Sequence, residues 1–102
     1  MSVSVDEARA LALSLSDAVE QDHHGRPSFR VRGKIFATLW SEERMNVMVD
    51  EGGILTAVER APEACEQVFW GKRLAAVGVH LPLVERELLA ELLADAWEEK
   101  SS

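Results

Sequence analysis

The sequence predicts a two-layer α+β domain in which an antiparallel sheet carries long N- and C-terminal helices on one face, in the order α-β-β-β-α-β-β-α. Three observations predict it. Apolar residues recur every three or four positions near both ends of the chain. Between those ends they alternate in short runs, and Gly25, Gly33, Gly71, Pro27 and Pro62 punctuate the runs. At 102 residues, 47% apolar and 28% charged, the chain is read as a single domain over residues 1–102.

The first helix opens with a capping box, Ser4 followed three residues on by Glu7, and Asp6 adds negative charge at the positive helix start. Val5, Ala8, Ala12, Leu15 and Val19 then share a face, which predicts a helix from about Val5 to about Glu20. Gly25 and Pro27 end it. A hairpin follows, Ser28 to Arg32 and Lys34 to Trp40, with Gly33 free to take the positive φ of a tight turn. Phe29, Val31 and Ile35 point to the core and Arg30 and Arg32 away from it. The third strand alternates Met45, Val47 and Val49.

Ile54, Leu55 and Val58 fit a short second helix limited by Pro62. "QVFW" and "RLAAVGVHL" read as two strands joined at Gly71 and Lys72, and Gly78 marks a bulge or a close backbone approach. The last helix is the strongest in the chain, with Val84, Leu88, Leu89, Leu92, Leu93, Ala96 and Trp97 on one face.

Net charge is −7, from 11 basic and 18 acidic side chains. A chain this acidic is repelled by nucleic acid unless its bases gather on one surface. From Arg26 to Trp40 the bases Arg26, Arg30, Arg32 and Lys34 have no acid among them. With Lys72 and Arg73 they form the candidate nucleic-acid or anion-binding set. The competing expectation is that they pair with acids of the surrounding helices. Phe29, Phe36 and Trp40, interleaved with them, are expected in the core.

His23 and His24 beside Asp22 are the candidate metal ligands, but neighbours in an extended segment point to opposite sides and no second histidine pair supports them. No metal or other cofactor is expected. Ser28 lacks a GxSxG elbow, and Cys65 lacks a CxxC partner, so the chain reads as non-enzymatic. A lone cysteine also fits a reducing compartment. No basic segment precedes an apolar stretch at the N-terminus and no run approaches a membrane span, so a cytoplasmic location and no membrane partner are expected.

The blocks "HHGRPSFRVRGKIFATL", "MNVMV", "ERAPEACEQVFW" and "LLAELLADAWEEK" resemble the MmcQ/YjbR family of small bacterial proteins over nearly the whole chain. The resemblance implies the two-layer fold, similar to type III secretion chaperones and to frataxin-like CyaY, and brings the label DNA-binding. Near the last strand "FWGKRLAAVGV" is shorter and less aromatic than the family's glycine-rich loop. Two functions are thus expected to compete. One is DNA binding through the basic hairpin; the other is a chaperone-like protein or peptide adaptor, monomer or weak homodimer, with an exposed apolar patch around Met45, Met48 and Trp70.

Overall fold

A computed structural model describes residues 2–102 of the chain. The chain runs α1 (Val5–Leu13), β1 (Val19–His23), β2 (Arg26–Val31), β3 (Lys34–Ser41), β4 (Arg44–Val47), α2 (Glu51–Arg60), β5 (Cys65–Trp70), β6 (Arg73–His80) and α3 (Arg86–Ser101). The strands form one antiparallel six-stranded sheet in the order β1-β2-β3-β4-β6-β5. The two-layer α+β class is as expected, with one strand more before α2.

That strand is the chief correction to the sequence reading. The Ser4–Glu7 capping box forms as expected, but α1 stops at Leu13. Ser14 turns its hydroxyl back to the Leu11 carbonyl at 2.7 Å, and Asp17 takes φ 60°, so the backbone leaves the helix two turns early. Val19 to His23 instead pairs with β2, Val19 opposite Arg30 and His23 opposite Arg26. All five residues of β1 are exposed, so no apolar alternation announces it. The edge of β2 supplies the hydrogen bonds that the helix would have made internally.

Two-residue turns fix the register of four hairpins among the described residues, the one between β3 and β4 being Glu42–Glu43. His24–Gly25 (φ 55° and 83°) and Arg32–Gly33 (φ 53° and 79°) are both left-handed at their two central residues, as a type I′ turn requires. Gly71 (φ 64°) leads the turn between β5 and β6, where Trp70 pairs with Arg73.

One face of the sheet is the core. Phe29, Ala37, Val47 and Val77 lie on a single rung across β2, β3, β4 and β6, and all are fully buried. Leu89, Leu93 and Ala96 of α3, Ile54 and Ala57 of α2, and Ala8 and Ala12 of α1 cover them. Truncating one of the buried leucines, such as Leu93→Ala, costs about 2–5 kcal/mol through lost transfer energy and the cavity left behind. Helix α3 packs along β2 to β4, α2 along β5 and β6, and α1 on α3. Among the described residues no helix packs on the other face of the sheet.

Three bulges shape that open face. Phe36 is the extra residue of β3 against β2, Trp40 that of β3 against β4, and Ala75 that of β6 against β5. A bulge bends its strand and re-aims the side chain beside it. Trp40 is consequently 44% exposed, not core as its neighbours Phe29 and Phe36 are. Gly78 is neither a bulge nor a point of close backbone approach; the nearest atoms a Cβ there would meet are side-chain atoms of Arg44, Val68 and Glu66, at 3.1–3.2 Å.

Candidate functional site

The pleat places Arg26, Ser28 and Arg30 of β2 on the open face, with Thr38 and Trp40 of β3, Arg44 and Asn46 of β4, and Gly78 and His80 of β6. One rung crosses this face through Gln21, Ser28, Thr38, Asn46, Gly78 and Glu66. Its middle members Ser28, Thr38 and Asn46 are the buried polar residues among those described. The Ser28 hydroxyl donates to the Gln21 carbonyl at 2.8 Å and accepts from Arg30 Nε at 3.2 Å, so Ser28 is satisfied as structure and not poised as a nucleophile.

Over this rung lies a cleft of about 530 Å³. Ile35, Thr38, Asn46, Met48 and Ala75 form its floor, and the tryptophans Trp40 and Trp70 add aromatic surface. His23, His24 and Arg26 enter from the first hairpin, Arg73 from the last, and Lys100 from the final turn of α3. Among the described residues no carboxylate lines the cleft, although the chain carries 18 acids. A volume of this size is in the range of small-ligand sites, roughly 300–1,000 Å³.

The carboxylates gather elsewhere. Asp50, Asp95, Glu98 and Glu99 line a hollow between the start of α2 and the end of α3. Others are paired: Glu20 with Arg9 at 2.9 Å, Glu91 with Arg60 at 2.9 Å, and Glu7 with Arg86 at 3.3 Å. On the open face Glu66 accepts from His80 Nε2 at 2.7 Å and faces Arg44 at 3.6 Å. Gly78, lacking a Cβ, leaves space that the side chains of Arg44 and Glu66 approach.

The six bases singled out in the sequence divide. Arg26 and Arg73 line the cleft. Arg30 shares their face but is spent on Ser28. Arg32 is a turn residue at φ 53°, and Lys34 pairs with buried Val31, which puts it on the helix side of the sheet. Lys72 is exposed in the last turn. The hairpin therefore makes no ladder of Arg30, Arg32 and Lys34. None of the six forms an ion pair with a carboxylate among the described residues. Lys100, Thr38 and Asn46 were not legible as site residues. For the last two a signal exists: each is a polar residue flanked on both sides by apolar ones, Ala37 and Leu39 about Thr38, Met45 and Val47 about Asn46.

Arg26 is held in place by Trp40. Its Cζ stands 3.9 Å from the ring centroid and its Nε donates to the Trp40 carbonyl at 3.0 Å. Arg44 approaches the same ring at 5.9 Å. Cation–π contact and a backbone bond together orient the guanidinium without consuming its charge.

His23 and His24 differ from the sequence expectation in one respect. Because His24 is in the turn and not extended, the two rings come together, 4.4 Å between centroids. Asp22, the third candidate ligand, accepts instead from the Gly25 amide at 3.2 Å. No group of three or more His, Cys, Asp or Glu able to hold a metal occurs among the described residues. The proposed apolar patch also dissolves: Met45 is fully buried in the core and Met48 is buried beneath the cleft, leaving Trp70 exposed. Among the described residues no helix is long and apolar enough to cross a membrane.

A family model for YjbR matches residues 13–99. The chain belongs to the YjbR family. Its fold is similar to the crystal structure of the Deinococcus radiodurans protein DR2400, which carries a DUF419 domain, with a TM-score of 0.76 and 21% identity over 95% of this chain and 77% of that one. No curated protein matches the sequence. The YjbR match begins at Leu13, so it takes in all six strands and leaves most of α1 outside. Every cleft residue except Lys100 falls within it.

Proposed function

We propose that this YjbR protein is a non-enzymatic binding module that holds single-stranded nucleic acid on the open face of its sheet. The observation that carries the reading is a cleft with exposed tryptophans, unpaired Arg26, Arg73 and Lys100, and no carboxylate, in a chain of net charge −7. Keeping carboxylates out of the cleft, and pairing Glu66 of the same face with Arg44 and His80, weakens locally the repulsion that the net charge predicts and leaves the cleft attractive to phosphate. Trp40 and Trp70, 44% and 52% exposed, offer the aromatic surface on which unpaired bases stack. A duplex would hide its bases from them, so single strands suit the face better.

Anisotropy titrations of a fluorescent single strand and its duplex, at about 20 and about 150 mM salt, test the reading. Three phosphate contacts predict a slope of about −2 in log K against log salt for the single strand. Absence of single-strand binding at the lower salt overturns it. An adaptor for peptides is the second reading, supported by edge strand β5, where Phe69 and Trp70 are both more than half exposed. It predicts binding that is insensitive to salt and abolished by Phe69→Lys.

A further inference from the structure

We propose that the cleft seats one nucleotide at a time and reads its base through Thr38 and Asn46; this rests on the nucleic-acid reading above. The two residues are direct cross-strand partners on β3 and β4, and they line the floor of the cleft. Thr38 is 5% and Asn46 2% exposed. Two polar side chains so deeply buried are normally bonded within the protein.

Asn46 is bonded on one side only. Its Oδ1 accepts from Arg44 Nε at 2.9 Å. Arginine has donors and no acceptor, so the amide oxygen must face Arg44 and the amide nitrogen must face away from it. That nitrogen has no protein partner among the described residues, and neither has the Thr38 hydroxyl. Yet no buried polar side-chain atom among the described residues is orphaned. Both groups therefore open onto the cleft that they line.

The cleft thus presents, side by side, an amide donor with fixed orientation and a hydroxyl that can donate or accept. Around them the floor is apolar: Ile35, Met48 and Ala75. Arg26, Arg73 and Lys100 supply positive charge about the same space. A flat body with a polar edge and an anionic group attached is the chemistry that satisfies all of these at once, and a nucleotide has it. Phosphate contacts position the ligand, while the polar pair distinguishes one base edge from another. The volume, about 530 Å³, seats one such unit and not a stacked run of them.

Competition titrations with homo-oligonucleotides of the four bases, and with ribose 5-phosphate as the probe lacking a base, test this on the full chain. The wild type is expected to rank the four bases with a spread of at least about tenfold. Thr38→Val, nearly isosteric, and Asn46→Ala are each expected to compress that spread about three- to tenfold, the worth of one hydrogen bond, with the salt slope unchanged. Asn46→Ala also strips Arg44 of a partner, so Thr38→Val decides the matter if the former unfolds by circular dichroism. Salt-dependent binding with an equal response to all four bases, or a spread unmoved in folded Thr38→Val, overturns base reading while leaving the strand-binding function intact. Ribose 5-phosphate competing as well as the nucleotides overturns it too. No binding of any oligonucleotide overturns both.

Discussion

Arg26 stands over Trp40, 3.9 Å from guanidinium carbon to ring centroid, and its Nε donates to the carbonyl of the same residue. The pair joins β2 to the bulged end of β3, so the feature that expels Trp40 from the core also fixes the cation beside the cleft. Arg26→Ala is expected to weaken single-strand binding about three- to tenfold and to reduce the salt slope by about 0.7, one phosphate contact. Its effect on stability stays under about 1 kcal/mol, the range of an exposed cation–π pair. Arg26→Lys keeps the charge without the planar stack and should fall between the two in affinity. Titration and urea unfolding of the three proteins check this; equal affinities would remove Arg26 from the site.

Trp97 performs a different task. Its indole nitrogen donates to the Ser16 carbonyl at 2.9 Å and so ties α3 to the segment that carries α1 into β1. Trp97→Phe keeps most of the apolar contact and leaves that carbonyl to solvent, at a cost of about 0.5–1.5 kcal/mol. Hydrogen exchange is the sharper measurement. Amides of β1 should exchange faster in the variant than those of β3, which the tie does not restrain.

Glu7 links stability to pH. Its bonds with Ser4, to backbone and hydroxyl, and secondarily the charge of Arg86 hold its carboxyl below the ordinary value of 4.5. A carboxyl whose folded value is depressed contributes stability that is fully present above the unfolded value and is lost as pH falls through the folded one. Glu7→Gln should therefore lower the urea midpoint at pH 7, and the difference between variant and wild type should shrink on acidification below about pH 4.5. A difference independent of pH would show that the cap acts through geometry alone.

Cys65 is expected to be inert in the native state. It is 2% exposed, and burial, reinforced by the charge of Glu63, pushes its thiol up from its ordinary value. Alkylation by iodoacetamide at pH 8 should thus wait for unfolding and accelerate at least about a hundredfold in denaturing urea, following the population of open molecules. Rapid labelling under native conditions would contradict the packing of β5 against the core.

Much of the molecule was legible because the deciding signals are local. The capping box at Ser4 and Glu7, the positive-φ glycine at Gly33, and the leucine stripe of α3 each act within a few residues of themselves. Strand β1 was not legible, since Glu20, Gln21 and Asp22 have no apolar period and become a strand only through the edge of β2. Trp40 was misread for a related reason. Strict alternation holds only until a bulge, and a bulge is defined by the partner strand, not by its own sequence.

The sequence by itself determined the α+β class, the acid-free run from Arg26 to Trp40, and the polarity of Thr38 and Asn46 at positions that the core does not claim. Only the tertiary structure decided which of these meet. Arg26 and Arg73 come to one cleft because β6 inserts beside β4 and carries its hairpin to the open face, while Lys34 is turned to the opposite face by the register that pairs it with Val31. Local spacing dictates which side of its own strand a residue takes. Where that side leads is set by pairings between segments far apart in the chain, whose hydrogen bonds and buried rungs form only when the whole sheet does.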